Sequence, residues 1–380
     1  MQGNIFDIMY PQFKINKDIR LISLFSGYDS QALALKYLGV KFEHWKTCEW
    51  AVKSIQALKD LHFDFDNNDY SASFDIDEIK DFLLKKGISQ DYNKPMNEQQ
   101  IKRMSEAYAR KVFNNIIATH NLVNIQQVKG RDLEVKNTDI YIYICTYSFP
   151  CQDLSLAGKG KGMSDTTTRS GLLWEVERIL SELEEKPQVL LMENVPQVHS
   201  EDNKKDFFKW QLRLEELGYK NYVQDLIATD YGIPQTRNRC FMISILGDYS
   251  YKFPQKQELK LKLKDMLENK VDEKYYLSEA MLKYMYSESS GGMSRKEMFE
   301  KNFNKKEDIA FTITTLAGQR PSDNYIKIKN NNSKGYLEAE EGDGVDISSR
   351  MKYHRGTVQK GKAQTISTMG GENVGVVVNE

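Results

Sequence analysis

Apolar positions along the first part of this chain switch between a period of two and a helical period. Residues 19–25 (IRLISLF) form a short β-branched and aromatic run, the mark of a buried strand. The run stops at Ser26-Gly27, and residues 30–39 (SQALALKYLG) then read as a helix closed by Gly39. Residues 41–50 (KFEHWKTCEW) alternate as a second strand, and 51–62 (AVKSIQALKDLH) come next as a second helix. This strand–helix–strand opening predicts a largely parallel sheet with helices on its faces.

Residues 64–120 break the rhythm. They are polar and helical in pattern, with Ile79, Phe82, Leu83, Met104, Ala107, Tyr108, Val112 and Phe113 at helical spacings, and they read as a helical insertion. Residues 122–125 read as a short strand, and 139–148 (DIYIYICTYS) as the clearest central strand. A helix over 171–183, a strand over 188–195 (QVLLMENV), an amphipathic helix to Leu217 and strands near 222–228 and 240–246 complete the region. The pattern beyond Gly247 is different. Residues 252–286 read as charged and helical, and the remainder is irregular with short strand-like pieces (FTITTL, YIKIKN, QTISTM, VGVVV). The predicted division is 1–247 and 248–380.

Composition narrows the class. Hydrophobic residues make up 40% and charged residues 28% of 380 positions, which suits a soluble globular protein. The apolar runs at 140–145 and 189–192 are far too short for a bilayer. The first residues lack a basic start followed by an apolar stretch, so a cytoplasmic location is expected. Cys48, Cys145, Cys151 and Cys240 are scattered without a CxxC pair, and the five histidines form no ligand-spaced cluster, so neither a disulfide framework nor a metal site is expected. Net charge is −1, so any nucleic-acid footprint must be local. Basic stretches exist at Lys159 and Lys161, at Arg237 and Arg239, and over 351–362; each alone reads as solvated surface.

Three short segments carry chemistry. Ser148-Phe149-Pro150-Cys151-Gln152 ends the central strand, which puts a cysteine at the carboxyl edge of a parallel sheet, where such folds hold ligands. Pro150 stiffens the turn that presents it. Glu193-Asn194-Val195 ends the next strand, and a partly desolvated carboxylate there can hold and deliver a proton. In Gln235-Thr236-Arg237-Asn238-Arg239 the two arginines fall on one side of an extended segment, suited to a phosphate or a base carbonyl. Alone, each has an ordinary reading: a buried small hydrophobe, a solvated glutamate, a surface charge pair.

In this order and spacing, however, the segments resemble the motif series of the DNA cytosine-5 methyltransferases, especially the bacterial, mycoplasmal and phage members. The resemblance covers residues 19–246 and extends more loosely over the residues beyond 246. It implies a Rossmann-like S-adenosylmethionine-dependent methyltransferase fold: a mixed seven-stranded sheet with helices on both faces, plus a smaller irregular target-recognition domain. It implies that a cytosine flipped from duplex DNA is attacked at carbon 6 by the Cys151 thiolate, which activates carbon 5 for methylation. Glu193 would hold ring N3, and Arg239 the base carbonyl with support from Arg237. The loop over 153–170 would close over the DNA. For the cofactor, Phe25 and Gly27 match the family's Phe-x-Gly, while Asp29 and Ser30 depart from the glycine pair that comes after it. Glu49 is expected on the ribose, Trp50 beside the adenine, and Pro150 next to the cofactor. Either Asn124 or Asp132 would meet the adenine amine, with Asn124 in the better local pattern.

The family's last two motifs, an Arg-x-Leu-Thr-Pro-like segment and a Gly-Asn-Ser segment with its helix, are not found; GGENVGVVV lacks the Asn-Ser pair. The recognition region is therefore expected to be incomplete. The partners implied are duplex DNA and a second chain supplying those motifs. The alternative reading is a fragment that binds DNA or a partner without methyl transfer. RNA is a third substrate class, since one branch of the family acts on transfer RNA.

Overall fold

The computed structural model describes residues 11–150, 170–268, 277–287, 294–301, 309–313, 319–321, 323–325, 344–346, 358–359 and 374–376. Two compact units divide the chain: Met1–Asp230 with Asn238–Gln257, and Tyr231–Arg237 with Glu258–Glu380.

The first unit is built on a sheet of β1 (Asp18–Leu24), β2 (Phe42–Cys48), β3 (Tyr141–Tyr147), β4 (Val189–Asn194), β5 (Tyr219–Ile227) and β6 (Asn238–Leu246), in the order β2-β1-β3-β4-β6-β5. β2, β1, β3 and β4 are parallel, and β6 runs antiparallel to both β4 and β5. The sheet is thus mixed as expected, with six strands among the described residues. The strand predicted at 122–125 does not form. Thr47 makes a single bridge to Asn121, and Val123 then takes φ 71, a left-handed turn that ends the ladder.

Alternation along the strands sends side chains to two cores. Ile22, Leu24, Tyr143, Cys145 and Tyr147 face one side, where α6 (Leu173–Ser181) and α7 (Lys204–Glu216) contribute Val176, Ile179, Trp210 and Leu214. Ile19, Leu21, Ile142 and Ile144 face the other side with Ala32 of α1 (Ser30–Tyr37). Burying each large aliphatic or aromatic side chain contributes roughly 1.5–3 kcal/mol, so both faces are strongly held.

Between α2 (Val52–His62) and β3 lies the helical insertion: α3 (Ile76–Lys86), α4 (Glu98–Lys102) and α5 (Glu106–Ala118). Asp75 and Asn97 close capping boxes at α3 and α4. The buried stripe of α5 is Ala109, Val112, Phe113 and Ile116. Ala107 and Tyr108 are exposed, so the expected register is corrected there: the stripe that continues to Ile116 at i, i+3, i+4, i+7 wins.

In the second unit, α8 (Glu279–Met285) and α9 (Arg295–Lys301) surround a small core of Met285, Phe299 and Tyr325. Short strands β7 (Gly344–Asp346), β8 (Val358–Gln359) and β9 (Val374–Val376) form a sheet ordered β8-β7-β9. Of the charged helix predicted over 252–286, the part up to residue 268 holds only a single 3-10 turn, Leu263–Met266. ELKLKLK alternates with a period of two, and Pro254 removes a helical donor, so the helical reading lacked a periodic basis.

Candidate active site

The strand order places a topological switch point at β1, because the chain moves from β1 outward to β2 and then returns to β3 on the opposite side. Open sheets of this kind bind ligands at the carboxyl ends of the strands flanking such a point. The predicted residues converge there: the turn after β1 carries Phe25 and Gly27, β2 is followed by Glu49 and Trp50, β3 by Pro150, and β4 ends on Glu193 and Asn194. β6 is antiparallel, so its first residues, Asn238 and Arg239, lie at the same edge.

In the β1 turn, Phe25, Gly27 and Asp29 all adopt left-handed φ near 56, 55 and 56. The Ser26 N–H donates to the Cys48 carbonyl at 3.1 Å. The Gly27 N–H donates to Glu49 Oε2 at 2.9 Å, and the Ala51 N–H donates to Glu49 Oε1 at 2.7 Å. Glu49 is 8% exposed. Burial pushes its carboxyl above the usual carboxylate range, and backbone N–H groups of Ala51, Gly27 and Trp50 only partly offset this. A buried acid held by backbone N–H groups at a ligand-binding sheet edge is a functional-site signature.

The fit to S-adenosylmethionine rests on what this turn leaves unused. Among the described residues, Ser26 Oγ is buried without a hydrogen-bond partner, and none lies within 4 Å of where a Cβ on Gly27 would project. A polar orphan beside open space, just past the end of β1, suits a polar ligand. Asn121, absent from the sequence reading, braces the far side: its amide donates to the Glu49 carbonyl at 3.0 Å and its carbonyl accepts the Glu49 N–H at 3.0 Å. Asn124 is buried three residues on and takes the Gln126 N–H at 3.1 Å. Asp132 is spent on its own turn, accepting the Lys129 N–H at 2.9 Å. Trp50 is half-buried against the core of the helical insertion.

At the other strands, Glu193 Oε1 lies 3.0 Å from Arg239 Nε, with both side chains mostly buried. Glu193 faces Phe241 in the ladder, so it shares its side of the sheet with Arg239 two residues away. Arg237 falls in the second unit, and the unit boundary passes between it and Asn238. The β3–β4 ladder ends at the Tyr147–Met192 pair. Beyond it, the Asn194 amide donates to the Phe149 carbonyl at 3.0 Å and so ties the two strand ends together just before Pro150. Cys151 and the loop through residue 169 lie outside the described residues. The other three cysteines are buried and free. Burial pushes the thiols of Cys145 and Cys240 up to about 12, and that of Cys48 higher, which leaves none of them a thiolate near neutrality.

Over residues 96–369 the chain matches the C-5 cytosine-specific DNA methylase family. It belongs to that family. Its reaction is therefore S-adenosylmethionine-dependent methylation of cytosine carbon 5 in DNA. Among relatives of this cytosine methylase, the Type II methyltransferase M2.ScrFI of Lactococcus lactis subsp. cremoris is 37% identical over 68% of this chain and 70% of its own length. The orphan methyltransferase M.SssI of Spiroplasma monobiae is 36% identical over 72% of this chain and 70% of its own. In fold, the methylase is similar to the Dnmt2 methyltransferase of S. pombe, with a TM-score of 0.50 and 13% identity over 83% of this chain and 78% of that one.

One grouping was hidden by sequence spacing. His199, Asp225 and Cys240 bring ligand atoms within 4.8 Å of one another, which corrects the expectation that the histidines join no ligand cluster. Asp225 takes the His199 Nε2–H at 2.9 Å and also bonds the Cys240 thiol, so the three side chains satisfy one another. No helix among the described residues is long and apolar enough to cross a membrane.

Proposed function

We propose that the methylation proceeds through a covalent bond between Cys151 and carbon 6 of a cytosine flipped from duplex DNA, with Glu193 and Arg239 holding the base. The observation that carries this reading is the Glu193–Arg239 pair at 3.0 Å, set at the same sheet edge as Glu49 and the strand end that leads into Cys151. Glu193, held in place by the guanidinium, is positioned to bond ring N3 and deliver a proton as the adduct forms. The Arg239 guanidinium is a fork of N–H donors, so it can hold Glu193 through Nε and reach a base carbonyl as well. Arg237, two residues before Arg239 in the chain, would support the base or a phosphate. The Cys151 thiolate would bond carbon 6 and so make carbon 5 nucleophilic toward the cofactor's methyl group; once that methyl is in place, loss of the carbon 5 proton with expulsion of the thiolate would complete the turnover.

The cofactor supplies an electrophilic methyl group. For its binding, Phe25, Ser26 and Gly27 form the wall for the amino-acid end, Glu49 takes the ribose hydroxyls, and Trp50, Asn124 and Pro150 border the adenine. Thiolate attack on a base activated at N3 needs no metal. We propose a cytoplasmic location, and duplex DNA as the substrate. A second chain supplying C-terminal motifs is the other candidate partner, and the chain assayed alone tests whether it is needed.

The test is transfer of labelled methyl from S-adenosylmethionine to unmethylated duplex DNA. Incorporation at cytosine carbon 5 that is abolished by Cys151→Ser, with cofactor binding retained, is the expected result. Incorporation that survives Cys151→Ser would sink the covalent route. Cofactor binding without incorporation in the unmodified chain would favour the non-catalytic alternative.

A further inference from the structure

We infer that Asp29 and His44 form a lock that holds the cofactor turn in its binding shape and sets its affinity for S-adenosylmethionine, an inference that rests on the proposed cofactor site. Asp29 is fully buried at φ 56 and ψ 65, the left-handed region that favours glycine. Both of its carboxylate oxygens are engaged. Oδ1 accepts the Ala32 N–H at 3.1 Å and caps α1. Oδ2 accepts from His44 Nε2 at 3.0 Å. His44 stands on β2, with its ring held by Phe42, His62 and Phe63 at centroid distances of 5.1, 5.0 and 5.0 Å.

The preceding residue is gripped in the same way. His62, at the end of α2, donates from Nε2 to the Tyr28 carbonyl at 2.9 Å. Two histidines from two elements thus fix two consecutive turn residues from one side, while Glu49 and Cys48 fix Gly27 and Ser26 from the other. Among the described residues, what remains unengaged between these clamps is Ser26 Oγ and the space beside Gly27.

Helix capping alone does not demand this arrangement. Four other N-caps whose side chains bond their helices, Asp75, Asn97, Ser105 and Ser278, all sit in the extended region at φ −76, −80, −61 and −67. Asp29 alone among them accepts the cost of a left-handed backbone, and it adds a second bond to a neighbouring strand. A residue in a sparsely populated backbone region, over-determined by buried bonds, points to a position set for a ligand. A turn held in its bound shape also has less ordering left to do on binding.

The test titrates S-adenosylmethionine into the full chain. Asp29→Gly keeps the backbone conformation and removes both bonds. His44→Phe keeps the ring packing and removes the donor. His44→Gln returns a donor at about the same reach. Loss of the shared Asp29–His44 bond should raise the dissociation constant by about tenfold in each of the first two variants, with Asp29→Gly the weaker because it also loses the Ala32 bond. The double variant should bind no more weakly than Asp29→Gly alone, because removing Asp29 already removes the His44 bond. His44→Gln should bind close to the unmodified chain, and turnover at saturating cofactor should hold in all of them. A merely structural role would lower melting temperature and leave affinity unchanged, and that outcome overturns the lock, as do losses that multiply in the double variant. Glu49→Gln separates the two readings: if it weakens binding while Asp29→Gly and His44→Phe do not, only the lock fails. If the unmodified chain binds no cofactor, both readings fail.

Discussion

Replacing Asn194 by alanine removes a side-chain bond that ties β4 to the strand end ahead of Cys151. Asn194 is 3% exposed and donates to the Phe149 carbonyl at 3.0 Å, two residues past the last β3–β4 ladder pair. Phe149 is buried, so water does not easily replace the donor. A buried carbonyl left without a partner costs roughly 1–3 kcal/mol. Taking about 2 kcal/mol, and about 2–4 °C per kcal/mol for a unit of this size, the melting temperature should fall by roughly 5 °C. The larger effect should be on chemistry. A nucleophile displaced by about 1 Å can lose about two orders of magnitude in rate, so single-turnover methyl transfer should drop by roughly 10- to 100-fold. Cofactor affinity should stay within about twofold, because the Asn194 side chain bonds Phe149 and Val195 and not the β1 turn or Glu49. Asn194→Asp is the control: it keeps the shape but places an acceptor against the carbonyl, so it should be at least as slow as the alanine variant. Single-turnover rates that stay normal in a destabilised Asn194→Ala would refute the positioning argument. A parallel loss of cofactor affinity would show that the damage is not local.

Three further expectations use the same geometry. A double-mutant cycle of Glu193→Gln and Arg239→Ala, read by thermal denaturation, should give a coupling of about 1–2 kcal/mol, between the values for exposed and fully buried pairs; a coupling near zero would mean the pair is not formed in solution. Glu49→Gln should weaken S-adenosylmethionine binding by about 10-fold or more, since one oxygen cannot serve both N–H groups and a ribose; calorimetry reads this directly. Burial raises the folded-state pKa of Glu49, so its contribution to stability is fully present below the unfolded value and is lost as pH rises through the folded one. Without cofactor, the unmodified chain should therefore lose stability relative to Glu49→Gln between acid and neutral pH, and a flat difference across that range would contradict the assignment.

Much of the first unit was legible in the sequence because its signals are local. Apolar runs of strand length, Gly39 after a helix and the long stripe of α7 arise from neighbours in the chain, and β1 to β6 lie where alternation and run length put them. The segments proposed for catalysis could be placed at one edge of the sheet for a similar reason, since Pro150 follows β3 and Glu193 ends β4. Where two periods competed, local reading failed: ELKLKLK looked helical by composition but forms no helix before the 3-10 turn at Leu263, and Val123 takes a backbone angle that no residue type signals. Only the tertiary structure decided which distant residues share work. Asn194 meets Phe149 across 45 positions because the parallel strands β3 and β4 bring their carboxyl ends to one edge, Asn121 meets Glu49 across 72 beside a single bridge to β2, and His44 of β2 meets Asp29 across 15. Asp29 reads in the sequence as a lost glycine. In the fold it is a residue held in glycine's conformation by a histidine on the neighbouring strand, and that pairing exists only once β1 and β2 lie side by side.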